Sequence, residues 1–244
     1  MTVATVLTAS VLTALATGLG ALPLAFGRTI EGRAVGFATA VAAGVMVGAS
    51  TGLGWEGSLS SWPRTVLGAI TGAAFIFMTR RALGHRSELT FGALRGADAL
   101  SAVMIVGVMT LHSFPEGCGV GVSFGDSETL GVLISTAIAV HNIPEGLAIA
   151  LVLVPRGISV ARAARWSVFS SLPQVLMAVP AFLLVESVEP FLPFGLGFAA
   201  GAMVWLVAAQ LVPDALRTVR PLPLAAAMAA AATVMVGLQL VLLG

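Results

Sequence analysis

Apolar residues dominate this chain in long runs, and the charged residues fall mainly between the runs. A transmembrane helix needs roughly 20 consecutive, mostly apolar residues. The pattern predicts eight such helices, at residues 2–26, 34–54, 64–84, 99–124, 128–154, 163–185, 191–213 and 222–243. The sequence therefore predicts an all-α, polytopic membrane protein with eight transmembrane helices, organised as one transmembrane domain over residues 1–244.

The composition agrees with a membrane protein. Hydrophobic residues make up 58% of the chain and charged residues only 9%, whereas soluble domains carry about a quarter charged residues. The one cysteine, Cys118, excludes an intrachain disulfide and a cysteine-based metal cluster. All twelve basic residues are Arg, a bias associated with GC-rich prokaryotic genomes, so we expect a prokaryotic cytoplasmic membrane.

The Arg residues fall on alternate connections between the predicted helices. Eleven of the twelve lie in the 1–2, 3–4, 5–6 and 7–8 connections or at the helix ends beside them. The other set of connections holds only Arg64, together with the acidic residues Glu56, Asp126, Glu128, Glu186 and Glu189. The positive-inside rule makes the Arg-rich side cytoplasmic, so both termini are expected outside. Because these Arg residues form a rim along the membrane, nothing indicates binding to nucleic acid.

Two similar motifs place ionisable side chains in the middle of predicted helices four and five. The first is HSFPEG at residues 112–117, and the second is HNIPEG at residues 141–146. Within each motif the His and the Glu are four residues apart, so a helix carries both on one face, one turn apart. Two imidazoles and two carboxylates would therefore meet inside the membrane if the two helices face each other.

A bound cation accounts for the presence of these groups at such depth. A charge at the membrane centre costs about 2.5–3.5 kcal/mol, and two carboxylates on neighbouring helices repel each other unless they are protonated or bridged. Imidazole with carboxylate suits Zn2+, and also Fe2+ or Mn2+. We therefore predict a divalent-metal site formed by His112, Glu116, His141 and Glu145, with the amide oxygen of Asn142 as a further candidate ligand.

Other residues predict how the helices bend, pack and connect. Pro115 and Pro144 each remove one helix hydrogen bond, so we expect kinked or interrupted helices beside the two His residues. The connection at about 85–98 is predicted to be a short solvated linker. Glycines at four-residue spacing predict close helix contacts, and they are Gly44 and Gly48, Gly68 and Gly72, Gly117, Gly121 and Gly125, and Gly197 and Gly201.

Three classes of function use such a site. A transporter would bind the ion and release it on the other side of the membrane. An intramembrane zinc-dependent hydrolase would need an open coordination position and a spare base, and the chain has no His-Glu-x-x-His arrangement. A metal-sensing or structural membrane protein would use the ion only to lock helices four and five together. Because the two motifs are symmetric, we interpret both Glu residues as ligands and predict no enzyme activity.

The two motifs resemble the metal-binding helices of the ZIP family of divalent-metal transporters, above all its GufA-like branch. Further similarity lies in GFATAVAAGVMVGAS of helix two and GFAAGAMVWLVAAQLVPDAL of helix seven. The resemblance implies eight helices in a 3+2+3 arrangement, with helices 1–3 and 6–8 as inverted repeats around helices 4 and 5. It also implies import of Zn2+ toward the cytoplasm, with Fe2+, Mn2+ or Cd2+ as other candidate substrates and no organic cofactor. The predicted partners are divalent metal ions and the lipid bilayer, with a homodimer as a candidate assembly.

By position, the resemblance implies that the four His and Glu residues form the primary site, with Ser113 and Asn142 at neighbouring second-site positions. Two positions depart from the family pattern. Gln174 stands where GufA-like members usually have Glu, and Gln210 stands where an acidic residue is frequent. Glutamine keeps an oxygen donor but loses a charge, so we expect a second ion to bind more weakly. Ser113, Gln174 and Gln210 are therefore candidates for a second site or for the transport pathway.

Overall fold

The computed structural model describes residues 1–26, 32–84 and 89–243, and most of these residues are helical. The elements follow in the order α1 (Val3–Leu19), α2 (Leu22–Phe26), α3 (Gly32–Gly84), β1 (Thr90–Phe91), β2 (Leu94–Arg95), α4 (Gly96–Asp126), α5 (Glu128–Leu153), α6 (Val160–Ser170), α7 (Leu172–Leu183), α8 (Val185–Val188), α9 (Leu192–Leu206), α10 (Val212–Leu216) and α11 (Pro221–Leu243). Short 3-10 turns lie at Val154–Arg156 and Glu189–Phe191, and a π-helical turn lies at Val207–Leu211.

Seven helical segments among the described residues are long and apolar enough to cross a membrane. They are Val3–Phe26, Gly32–Gly84, Gly96–Asp126, Glu128–Arg156, Val160–Leu183, Val185–Leu216 and Pro221–Val241. These segments confirm the predicted all-α, polytopic fold class. Helix α3 has 53 residues, which is roughly 80 Å of helix, whereas the hydrocarbon core of a bilayer is about 30 Å thick.

Helix α3 doubles back at Ser61, whose dihedral angles (φ −164°, ψ 93°) are not helical. A β-carbon added to Gly57 would lie 2.7 Å from Oγ1 of Thr65, although eight residues of straight helix span about 12 Å. The reversal lies within the predicted connection between helices two and three. If each arm of α3 crosses the membrane separately, the two arms and the six other segments give the eight predicted transmembrane helices. The number eight stays a prediction.

Glycines let the helices approach each other closely, as their spacing predicts. A β-carbon added at these positions would meet the backbone of a neighbouring helix: Gly44 and Gly48 against α11, Gly68 and Gly72 against α9, Gly117 and Gly121 against α7, and Gly197 and Gly201 against the second arm of α3. Gly125 differs, because it faces the side chain of Val185. In lipid, the hydrophobic effect does not drive helices together, so the van der Waals contacts of closely packed backbones stabilise the helix pairs instead.

Helices α4 and α5 lie at the centre of the bundle, between α1 and α7 on one side and α3 and α9 on the other. The Oγ atom of Ser127 caps α5 by accepting from the backbone N–H of Leu130 at 3.2 Å. Both helices continue through Pro115 and Pro144, so neither is interrupted there, and the kinks stay a prediction. Each proline removes one backbone hydrogen bond, and the bonds of neighbouring turns and the surrounding helices preserve the helix.

The described part of the predicted linker is partly ordered. Strands β1 and β2 form a small antiparallel hairpin before α4, in which Thr90 pairs with Arg95. The ring of Phe91 packs on that of Trp166, with centroids 4.6 Å apart. The hairpin uses Gly92 with φ 58°, a left-handed conformation that glycine adopts readily. Four predicted loop residues lie outside the described residues, namely Arg28, His85, Arg86 and Glu88.

Replacing Gly146 by Ala should destabilise the protein, because helices α1 and α5 cross at this residue. A β-carbon on Gly146 would collide with the backbone carbonyl of Thr17. Forcing the two helices apart should lower the free energy of unfolding by about 1–3 kcal/mol, measured by thermal melting in detergent. Gly107→Ala in α4 is the matched control, since a β-carbon there meets nothing within 4 Å. Equal melting temperatures for the two variants would contradict this account of the crossing.

Candidate metal centre

Helices α4 and α5 bring the four predicted ligands together. His112 and Glu116 come from α4, and His141 and Glu145 come from α5. Each residue offers one ligand atom, and these atoms all lie within 4.8 Å of one another. All four are buried, with exposed fractions of 0%, 3%, 6% and 2%. The i, i+4 spacing places each pair on one helix face, and the two faces meet.

Glu145 is the central member of the cluster. Its Oε1 atom lies 2.9 Å from Nε2 of His112 and 2.9 Å from Nε2 of His141. The contact with His141 has hydrogen-bond geometry. On α4, Nε2 of His112 lies 3.4 Å from Oε1 of Glu116. Both imidazoles therefore point their Nε2 atoms toward the same carboxylate, where a cation could bind between them.

Several buried polar atoms of the cluster have no partner with hydrogen-bond geometry in the part of the chain that the structure describes. They are Nδ1 and Nε2 of His112 and both carboxylate oxygens of Glu116, although Nε2 of His112 is within ion-pair distance of Glu145. Leaving a buried donor or acceptor unsatisfied costs about 1–3 kcal/mol, so such groups need an explanation. Ligand atoms in a tetrahedral zinc site lie about 3.3 Å apart, and Nε2 of His112 lies 3.4 and 2.9 Å from oxygens of Glu116 and Glu145. A divalent cation would give Nε2 of His112 and the Glu116 carboxylate a partner and would neutralise the carboxylates.

A second polar group of residues, here called the amide cluster, consists of Thr13, Asn142 and Gln174. The amide nitrogen of Asn142 donates to the carbonyl of Thr13 at 2.9 Å and to Oε1 of Gln174 at 3.1 Å. In turn, Nε2 of Gln174 donates to Oγ1 of Thr13 at 2.6 Å. The amide oxygen of Asn142, the predicted ligand atom, is buried and accepts no hydrogen bond from any residue that the structure describes. Because Asn142 follows His141 in α5, the amide cluster is next to one of the four ligands along the chain.

The two other candidate residues donate hydrogen bonds to backbone carbonyls of α4. The hydroxyl of Ser113 donates to the carbonyl of Met109, one turn earlier in α4, at 2.9 Å. The amide of Gln210 donates to the carbonyl of Ser101 at 3.0 Å. Because Ser101 precedes His112 by about 16 Å along α4, the structure places Gln210 apart from the four ligands. Its role as a second-site ligand is therefore not supported by position, and a role in the pathway stays a prediction.

A small cavity of about 70 Å3 adjoins two of the four ligands, Glu116 and His141, and Glu56 lines it as well. The sequence pattern placed Glu56 in an outer connection, but α3 remains helical through this residue and turns only at Ser61. Glu116, His141 and Gln239 also line the cavity. Sequence reasoning did not place Glu56 and Gln239 at this cavity. The available signal was that each is a polar residue near the end of a long apolar run.

The cavity extends from the ligands toward one end of the bundle. On α4 it is lined by Gly119, which follows Glu116, and on α5 by Ile134 and Ile138, which precede His141. All of these positions lie toward the connection between α4 and α5, at the end that the Arg distribution predicts to be outer. At the opposite end, α4 and α5 are filled with buried apolar residues, which are Met104, Ile105, Val108, Met109 and Ala148 to Leu153.

Comparison with known proteins agrees with the chemistry of this centre. The sequence model of the family described as ZIP zinc transporter matches residues 85–243. The zinc transporter GufA of Myxococcus xanthus is 32% identical over 225 residues, which cover 86% of this chain and 88% of GufA. Zinc transporter ZIP11 of Homo sapiens is 38% identical over 133 residues, which cover 49% of this chain and 37% of that protein.

A relative from Arabidopsis thaliana, which carries the provisional name of a zinc transporter, is 45% identical over 232 residues. The match covers 93% of this chain but only 37% of the plant protein. The chain therefore spans little more than a third of this plant relative, whereas it spans most of GufA.

Proposed function

Because the chain belongs to the ZIP family of zinc transporters, we propose that it carries Zn2+ across the membrane toward the cytoplasm, through a site formed by His112, Glu116, His141 and Glu145. It is an integral, multi-pass membrane protein. The zinc ion is the transported substrate, and Fe2+, Mn2+ and Cd2+ are further candidates.

One observation supports this proposal most strongly: four buried donor groups from two central helices converge within 4.8 Å. Buried ionisable groups are costly in a membrane and mark ion pathways. Nε2 of His112 and the carboxylate oxygens of Glu116 lack a hydrogen-bond partner among the described residues, and they are atoms that a cation would bind. Two imidazoles and two carboxylates form a donor set that zinc accepts.

Two features support movement toward the cytoplasm. The cavity beside Glu116 and His141 extends toward the predicted outer end, and Glu56 places a carboxylate in its wall. The Arg residues concentrate at the opposite end of the predicted helices, which the positive-inside rule assigns to the cytoplasm. A cation would thus enter past Glu56, bind between α4 and α5, and leave when the site opens inward.

The alternative of an intramembrane hydrolase is not retained. GufA and ZIP11 are named as transporters rather than enzymes. The second alternative, an ion that only locks α4 and α5 together, also predicts zinc binding but no zinc movement. Calorimetric titration of the purified protein tests the site itself, and we expect saturable binding of one Zn2+. An absence of saturable binding would contradict both the transport proposal and the locking alternative.

Zinc binding should weaken steeply as the pH falls. Protons compete with the metal for imidazole nitrogens and carboxylate oxygens, and unperturbed His titrates near pH 6.5. Lower pH adds protons to the ligands, so we expect the apparent affinity to fall at least about tenfold between pH 7 and pH 5. Calorimetry at both values measures this change, with size-exclusion chromatography to confirm that the protein stays folded. An affinity that is flat over this interval would contradict the predicted ligand set.

Glu56→Gln should raise the KM for zinc uptake without abolishing uptake. Glu56 lines the cavity beside the ligands, and a negative charge in a narrow cleft raises the local concentration of cations. We expect KM to increase about fivefold at low ionic strength and less at high salt. Glu186→Gln is the matched control, because Glu186 is exposed near the same end of the bundle. An unchanged KM for Glu56→Gln would remove this residue from the entry route.

A further inference from the structure

One guanidinium joins three elements at the end of the bundle that we place in the cytoplasm. The Nε atom of Arg156 lies 3.1 Å from Oδ1 of Asp98, and Nη2 lies 3.0 Å from Oδ2 of Asp214. The remaining nitrogen, Nη1, donates to the carbonyl of Val152 at 2.8 Å. Arg156 directly follows α5, Asp98 lies in the first turn of α4, and Asp214 lies in α10. All three charges are therefore held in one network.

This network is partly shielded from solvent. The side chain of Arg156 is 15% exposed and that of Asp214 is 22% exposed, while Asp98 is 62% exposed. Isolated surface ion pairs contribute little to stability, but networks with ordered geometry contribute more. The planar guanidinium suits such a network because its donors are fixed in direction. The contacts of Arg156 thus favour one arrangement of the three elements over others.

The network stands beside a cavity on the inner side of the metal centre. This inner cavity has a volume of about 560 Å3, and Asp98, Arg156 and Asp214 line it together with Leu151 and Val152. The positions of α4 between Asp98 and the ligands include buried apolar residues, namely Ile105, Val108 and Met109. A cation released inward along α4 and α5 would pass this apolar layer and then reach the inner cavity.

We propose that Asp98, Arg156 and Asp214 form an inner latch, which keeps the inward route closed while the ligands face the outer cavity. The latch rests on the proposed transport function. Helices α4 and α5 carry the ligands, while the latch residues lie in the first turn of α4, in the 3-10 turn that follows α5, and in α10. Separation of their inner ends opens the apolar layer and breaks the contacts of Arg156. Departure of the guanidinium also removes a positive charge that repels the leaving cation.

Cysteine accessibility tests the latch without requiring metal or flux. A Met109→Cys probe, in a Cys118→Ser background, lies one turn before His112 on the ligand face of α4 and is buried in this structure. A membrane-impermeant maleimide is applied to right-side-out and inside-out vesicles. We expect Arg156→Gln to increase the labelling rate at least fivefold in inside-out vesicles only. Arg217→Gln is the matched control, because its side chain is 76% exposed and lies 3.7 Å from Asp214, so its labelling rate should not change.

An unchanged rate for Arg156→Gln in folded protein would overturn the latch, as would an increase only in right-side-out vesicles. If Arg156→Gln does not fold, Asp214→Asn is judged by the same criterion, since it also removes one of the two ion pairs. The latch and the transport proposal fail separately. Faster labelling without zinc flux would refute transport alone, and zinc flux with unchanged labelling would refute the latch alone.

Discussion

Glu145→Gln is expected to lower the affinity for Zn2+ by about 100-fold or more, because Glu145 is the carboxylate that both imidazoles contact. Substitution of residues that only orient metal ligands already reduces the affinity for the metal by about 10–100-fold. The amide also removes the negative charge that compensates the cation within a buried site. Calorimetric titration of wild type and variant in detergent measures the effect directly.

Glu128→Gln provides the matched control for this result. It is the same substitution in the same helix, at an exposed residue in the first turn of α5. We expect its zinc affinity to equal that of the wild type. If Glu145→Gln retained wild-type affinity while remaining folded, the assignment of this carboxylate as a ligand would be wrong.

Gln174→Glu is expected to raise the number of bound zinc ions from one to two. The new carboxylate would keep the acceptor for Asn142 and would stand beside the unpartnered amide oxygen of that residue. A charge buried at this position, which is 0% exposed, needs a cation to compensate it. We therefore also expect the metal-free variant to melt at a lower temperature than the wild type, and zinc to reverse the loss.

The control for the second ion is Gln210→Glu. Gln210 is also a buried glutamine, but it bonds to Ser101 at a distance from the ligands. This variant should keep a stoichiometry of one. One bound ion in Gln174→Glu, at saturating zinc and with intact folding, would show that the amide cluster is not a latent second site.

The central features of the metal centre could be predicted from the sequence because they depend on local spacing. His112 and Glu116, like His141 and Glu145, are four residues apart in a helix, and this interval fixes a shared face whatever the surrounding fold. The glycine contacts were equally predictable, since a missing side chain permits close approach wherever two helices cross. The reversal at Ser61 lies within the connection that the break in the apolar pattern predicts, although the helix continues past the predicted end at residue 54.

Features that depend on distant parts of the chain were not predictable. Thr13, Asn142 and Gln174 meet only through tertiary packing of α1, α5 and α7. The family resemblance names Asn142 and Gln174 as second-site candidates, but no pattern in the sequence adds Thr13 to them. Charge counting assigns Glu56 to a surface connection, because it cannot detect the two further turns of helix that continue to Ser61. Neither proline interrupts its helix, since one missing hydrogen bond does not break a helix that is packed on several sides.

Zinc flux into proteoliposomes containing an internal fluorescent indicator tests the central claim most directly. The account predicts saturable uptake by the wild type, uptake near background for Glu145→Gln, and none in protein-free liposomes. Comparable uptake by wild type and Glu145→Gln would remove the buried carboxylate from the transport route. No uptake by wild-type protein that binds zinc normally would contradict zinc transport, and would leave an ion that only holds α4 and α5 together.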